Sequence, residues 1–505
     1  MNQESTARAA ATPTSCSLFR MLIYGSGECA SSLVMNSIFA FAMLYYTKAL
    51  RLDPAWAGIA MSMSVVWEAI TEPVMGHVSD NTRSHWGRRH PYMVVGGLLM
   101  AACSYLIWAV PAVFRTSQLS IFWYLVLLNL VLRTGLTLFC IPYMALGFEM
   151  CADYQGRSRL QSIRQIFNMA ANLAGPAMAW SLFFQDRGGI RGTTVAANYF
   201  RMGMLFSLAT LFFVLLVVAG TFRGRKDTRH ALRNADGGET RKFMFNMKQI
   251  LFDPNIRRVF TFVLVIGIGS MWVSALQVFI YDDFMKFSAN EKTLAHTTTM
   301  VGWAVGAFFS VRLTRRFDKK GTVLVGGLIG SGANIALALI FLTGLVPPGT
   351  ILHMGGTSFP LALWTFVVFH ASYWLGVGIM IPIATAMIAD LSEIYRLQTG
   401  LEKEGTYASV FSLANRLACS IGMLTSGFGL HLIGYRVAED VEAMNQSPQA
   451  IWRLGFVTFV VGGFMCLGSL MPLLKYPITR RRLEEMRAAQ PLALNPLPCS
   501  TGFRK

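Results

Sequence analysis

Two glutamates, Glu68 and Glu72, stand inside an apolar run, VWEAITEPVMG at 66–76. Residues four apart share one face of a helix. Two carboxylates on that face repel unless a proton or cation lies between them, which is the electrostatic requirement for an ion-coupling site. The other way to hold them is a fixed salt bridge to a neighbouring arginine. Pro73 withdraws an intrahelical hydrogen bond, which frees a carbonyl as a further oxygen ligand. Arg133 lies near the middle of another apolar run, with Thr137 one turn on. A guanidinium at that depth must pair with an acid or face water. It either holds an anionic substrate group, whose planar carboxylate suits the guanidinium fork, or neutralises Glu68, Glu72 or Glu28. Glu28, Ser32 and Asn36 recur at four-residue spacing as a polar stripe on an apolar helix, expected to line a cavity. The small neighbours Gly25, Gly27, Ala30 and Ser31 favour helix packing instead. Arg164 opens a further apolar run, as a site residue or as a snorkelling anchor. Arg416 stands about three turns into its run. His370 and His431 are read as packed or interfacial residues with no assigned role.

The elements that position these residues follow from composition. Of 505 residues, 54% are hydrophobic and 14% charged, against roughly 25% charged in a soluble domain. The apolar residues cluster into long runs, such as 21–46, 204–220 and 259–280. A bilayer-spanning helix needs about 20 such residues, and it satisfies its own backbone. The alternating short segments of a β-barrel are absent from the sequence. The expectation is an all-α polytopic membrane protein with twelve transmembrane helices in two six-helix bundles. Its parts are a tail at 1–19, a first bundle at 20–221, a central linker at 222–256, a second bundle at 257–474 and a tail at 475–505.

The formal charge is +18, yet the basic residues sit in short loops between apolar runs. That is the positive-inside pattern rather than a nucleic-acid surface. Arg83, Arg88 and Arg89, Arg157 and Arg159, and Arg223 to Arg233 mark one side. Both termini and the linker are therefore expected in the cytoplasm, in a cell membrane. The first apolar run is too long for a signal-peptide core and is expected to be retained. The eight cysteines are scattered without a CxxC motif, so neither a metal site nor a disulfide framework is expected. No nucleophile–base motif points to an enzyme. A sensor would need an appended soluble domain, for which the polar segments are too short. The loops GHVSDNTRSHWGRRHP (76–91) and RLTRRFDKKG (312–321) each set an acid beside a basic run. Parallel half-chain repeats of this kind place a substrate site near the membrane midplane.

Three stretches carry a family resemblance: WEAITEPVMGHVSDNTRSHWGRRHPY (67–92), IPYMALGFEMCADYQGRSRLQSIR (141–164) and ADLSEIYRLQTGLEKEGTYASVFSLANR (389–416). Together they resemble the glycoside–pentoside–hexuronide:cation symporters of the major facilitator superfamily. The resemblance implies the major facilitator fold and alternating-access transport of a sugar or glycoside. It also implies coupling to H⁺ or Na⁺, no other cofactor and a monomer in contact with lipid. In melibiose-permease-like members, the cation site falls on Glu68, Glu72 and Thr137 of this chain. The sugar site falls on Ser32, Cys140, Met144, Arg164, Ser412 and Arg416, and the gating loop on Asp80, Arg83, Gly87, Arg88 and Arg89. The departures matter. Both coupling aspartates are glutamates here, which brings H⁺ into competition with Na⁺, and Arg133 would supply a permanent charge. Ser32 and Cys140 stand where sugar-binding aspartates are expected, with Glu28 a stand-in for the first. An arginine-rich pocket of this kind suits an anionic saccharide. An amphiphile such as a lysolipid is the alternative cargo.

Overall fold

Three helices open on the same two-residue start. Asp53–Pro54, Asp253–Pro254 and Ser447–Pro448 each place an oxygen acceptor at the cap and a proline at the first helical position. The Asp53 carboxylate accepts the Ala55 N–H at 2.8 Å, and that of Asp253 accepts the Asn255 N–H at 2.7 Å. Such a cap contributes about 1 kcal/mol, and proline there removes an N–H that would have no partner anyway. The computed structural model describes residues 17–82, 84–150, 154–188, 190–222, 250–354, 357–399, 404–435 and 446–489. Residues 1–16 of the expected tail at 1–19, 223–249 of the linker at 222–256 and 490–505 of the tail at 475–505 lie outside the described residues.

The chain forms two units, one up to Leu232 and one from Arg233. The first contains α1 (Leu18–Ser37), α2 (Pro54–Asn81), α3 (His90–Trp108), α4 (Gln118–Met150), α5 (Tyr154–Met178) and α6 (Ala196–Thr221). Here α1 packs on α5 and α6, α2 on α4, and α3 on α4 and α6. The second unit contains α7 (Pro254–Phe279), α8 (Ala289–Leu342), α9 (Leu361–Thr399), α10 (Glu404–Leu432), α11 (Pro448–Leu474) and α12 (Arg480–Ala489). In it α8 packs on α9, α7 on α10, and α11 on both α7 and α8. A short antiparallel pair, β1 (Leu352–Met354) and β2 (Thr357–Phe359), precedes α9 and was not foreseen. Close crossings rest on glycine: a Cβ on Gly96 of α3 would meet the Phe139 backbone nitrogen of α4 at 2.6 Å. Small residues of this kind let membrane helices approach.

Helix α8 runs for 54 residues. At 1.5 Å per residue that is about 80 Å, far beyond the ~30 Å hydrocarbon core. Asp318 breaks it, with φ 59° and ψ 175°, inside the basic loop RLTRRFDKKG. Among the described residues, seven helices are long and apolar enough to cross a membrane: α3, α4, α6, α7, α8, α9 and α11. Helices α1, α2, α5 and α10 fall short of that hydropathy. These four carry Glu28, Glu68, Glu72, Arg164, Ser412 and Arg416, so the polar stripes expected to form the site are what lower it.

Candidate functional site

At the α2–α4 crossing, three consecutive rungs join the helices. Trp67 Nε1 donates to Thr134 Oγ1 at 2.9 Å. Arg133 Nη1 donates to Glu68 Oε2 at 2.6 Å, with the two side chains 2% and 8% exposed. Thr71 and Thr137 bring their hydroxyls to 3.3 Å. The Arg133 guanidinium also lies over the Phe39 ring, 5.4 Å from its centroid. Its Nε is buried without a hydrogen-bond partner. Charges taken this far from water are held only by close pairing. Of the two readings of Arg133, the structure shows its guanidinium turned to Glu68. Glu72 lies half-buried one turn further along α2.

At the α1–α5 seam the rungs follow a constant offset of 136 positions, so the helices run parallel and in register. Arg164 Nε donates to Glu28 Oε1 at 2.7 Å, and Nη2 donates to the same oxygen. Asn168 Nδ2 donates to Ser32 Oγ at 2.8 Å. Asn36 Nδ2 donates to Asn172 Oδ1, and Asn172 in turn donates to Asn168 Oδ1 at 3.1 Å. The guanidinium of Arg164 also stands 5.1 Å from the Tyr143 ring centroid. Arg164 is thus more than a snorkelling anchor, and the stripe Glu28–Ser32–Asn36 has a mirror in Arg164–Asn168–Asn172. Sequence reading missed Asn168 and Asn172. Their four-residue spacing from Arg164 was the available signal.

The remaining expected residues lie on α4, on α10, and at the end of α2 and in the loop after it. Cys140 is half-buried and Met144 is 41% exposed, both on α4. Ser412 is exposed and Arg416 half-buried on α10, in the second unit. Of the gating loop, Arg83 lies outside the described residues, as does the Asp80 side chain. Gly87 turns the chain with φ +82°, a conformation suited to glycine. Arg89 Nη1 donates to Ser79 Oγ at 2.8 Å, which ties the loop back to α2, while Arg88 is half-buried.

The second unit adds ion pairs that the sequence did not reveal. Lys292 Nζ meets Asp282 Oδ1 at 2.5 Å, with side chains 1% and 0% exposed. Tyr435 donates to Asp283 Oδ2 at 2.6 Å. Asp282 and Asp283 are buried in a helical turn at Ile280–Phe284. Lys319 pairs with Asp390 at 2.5 Å, and Asp318 Oδ2 accepts the Arg480 N–H at 2.9 Å, which caps α12.

Among the described residues, seven helices long and apolar enough to cross a membrane, with charges paired in the interior, mark an integral, multi-pass membrane protein. Residues 23–480 match the model of the MFS/sugar transport protein family, and the chain belongs to that family. It is a membrane transporter of the major facilitator fold, not an enzyme. It is 25% identical to an uncharacterised symporter of Synechocystis, over 92% of this chain and 95% of the relative. It is also 25% identical to a glucuronide carrier protein homolog of Escherichia coli K12, over 92% and 93%. A crystal structure of a D-xylose-proton symporter aligns over 92% of this chain and 98% of that one, with TM-score 0.63 at 13% identity. That likeness is one of fold.

Proposed function

We propose that this transporter carries a neutral saccharide or glycoside by alternating access, with a coupling cation engaged at Glu72. The observation that supports the cargo is the α1–α5 seam. Arg164 is met by Glu28 and Arg133 by Glu68, so these two guanidinium charges are balanced within the first unit. What remains along the seam is Ser32, Asn36, Asn168 and Asn172. Asparagine amides offer both donors and acceptors, which matches the hydroxyl groups of a sugar. The coupling role of Glu72 draws on its place one turn from Glu68 and on relatives named as symporters. The basic loops favour cytoplasmic termini in a cell membrane, and one chain holding both units favours a monomer.

A hexuronide is the second reading. It is favoured by the name of the Escherichia coli relative and by the fork of Arg164, from which a substrate carboxylate would displace Glu28.

The test is uptake into proteoliposomes of radiolabelled neutral methyl glycosides, hexuronides and lysophospholipid, each with an imposed pH or Na⁺ gradient. Saturable uptake of a neutral glycoside is the expected result. Uptake confined to hexuronides selects the second reading, and uptake confined to lysophospholipid overturns both. Glu72→Gln is expected to abolish accumulation against a gradient while leaving exchange. Unchanged accumulation would remove Glu72 from coupling.

A further inference from the structure

The cation position at the α2–α4 crossing already contains a positive charge. Glu68, one of the two carboxylates that the family resemblance assigns to the ion site, accepts at Oε2 from Arg133 Nη1 at 2.6 Å. Thr137, the expected hydroxyl ligand, stands 3.3 Å from Thr71 across the crossing. The guanidinium is 2% exposed, lies against the Phe39 ring and has a buried Nε without a partner. It is therefore held by Glu68 and by packing, and no solvent screens it. An arginine keeps its proton under all physiological conditions, so the charge is permanent. A Na⁺ ion at Glu68 would compete with the guanidinium already bound to its Oε2, and that fixed charge repels it.

From this geometry we propose that Arg133 is a built-in cation, which takes the place of Na⁺ at this crossing and makes the transporter Na⁺-independent. Arg133 is in that sense the residue that determines ion specificity. The inference rests on the reading of Glu68 and Glu72 as the family's ion-coupling pair. It does not depend on which saccharide is carried. It also predicts a gain of function. With the guanidinium removed, Glu68 loses the countercharge at its Oε2 one turn from Glu72, and the crossing is expected to take up Na⁺.

The experiment is equilibrium binding of radiolabelled Na⁺ to the purified full-length protein in lipid nanodiscs, with choline as the background cation. The wild type is expected at background. Arg133→Ala is expected to bind Na⁺ saturably, and Arg133→Ala with Glu68→Gln to return to background. Arg133→Lys, which keeps the charge, is expected to stay at background. If Arg133→Ala does not fold, Arg133→Gln carries the same test, because its amide still donates to Glu68 without a charge. Saturable Na⁺ binding by the wild type overturns the proposal, as does a folded, uncharged variant at position 133 that binds none. The readout involves no transported substrate, so an error in the saccharide assignment leaves its outcome unchanged.

Discussion

The α2–α4 crossing and the α1–α5 seam are built from the same pairing, a glutamate facing an arginine, but they are sealed to different depths. Glu68 and Arg133 are 8% and 2% exposed, whereas Glu28 and Arg164 are 14% and 12% exposed. The first pair is flanked by Phe39, Thr71 and Thr137. The second continues into a ladder of amides and a hydroxyl. A sealed pair cannot exchange partners without stranding a charge, so it fixes the local electrostatics. A half-open pair exchanges partners with water or with a substrate hydroxyl at lower cost. The same glutamate–arginine pairing is thus closed more tightly at the crossing than at the seam.

The largest test of this contrast is Arg133→Ala. It removes the guanidinium that buried Glu68 meets, and should lower stability by about 3–5 kcal/mol, measured as a fall in melting temperature and folded yield in detergent. Adding Glu68→Gln should restore most of the loss, because residues in contact are not additive. Additive losses would break the claim that the two side chains act as one unit. Arg164→Ala should cost less, about 1–2 kcal/mol, since water reaches Glu28 and re-satisfies it. A loss as large as that of Arg133→Ala would show that the seam is as dry as the crossing. The smallest effect on stability is expected for Asn168→Ala or Asn172→Ala, at most ~1 kcal/mol. These variants should instead raise KM for the transported glycoside about fivefold to tenfold with little change in melting. A melting shift without a KM change would make the ladder a packing device.

The helices that fall short of spanning hydropathy are instructive. Helices α1, α2, α5 and α10 fall short because of the charged residues they carry, Glu28, Glu68, Arg164 and Arg416 among them. Helix α4 differs, since its buried guanidinium is diluted within a largely apolar helix of 33 residues. Hydropathy alone therefore conceals Arg133, and only its depth in the run exposes it.

The sequence by itself determined the membrane class, the helical runs and the faces that carry charge. These depend on composition and on a 3.6-residue period, both local properties of the chain. It identified Glu28, Ser32 and Asn36 as one stripe and Glu68 with Glu72 as another, and it required a partner for Arg133. It did not choose that partner among Glu28, Glu68 and Glu72. Only the tertiary structure decided that Arg133 takes Glu68, that Arg164 takes Glu28, and that Asn168 and Asn172 complete the ladder. It also placed Asp282 and Lys292 in a buried pair and put the break in α8 at Asp318. The physical reason is that a pairing between helices depends on their relative rotation and axial register. Those are set by packing, as where Gly96 admits the α4 backbone, between residues far apart in the chain.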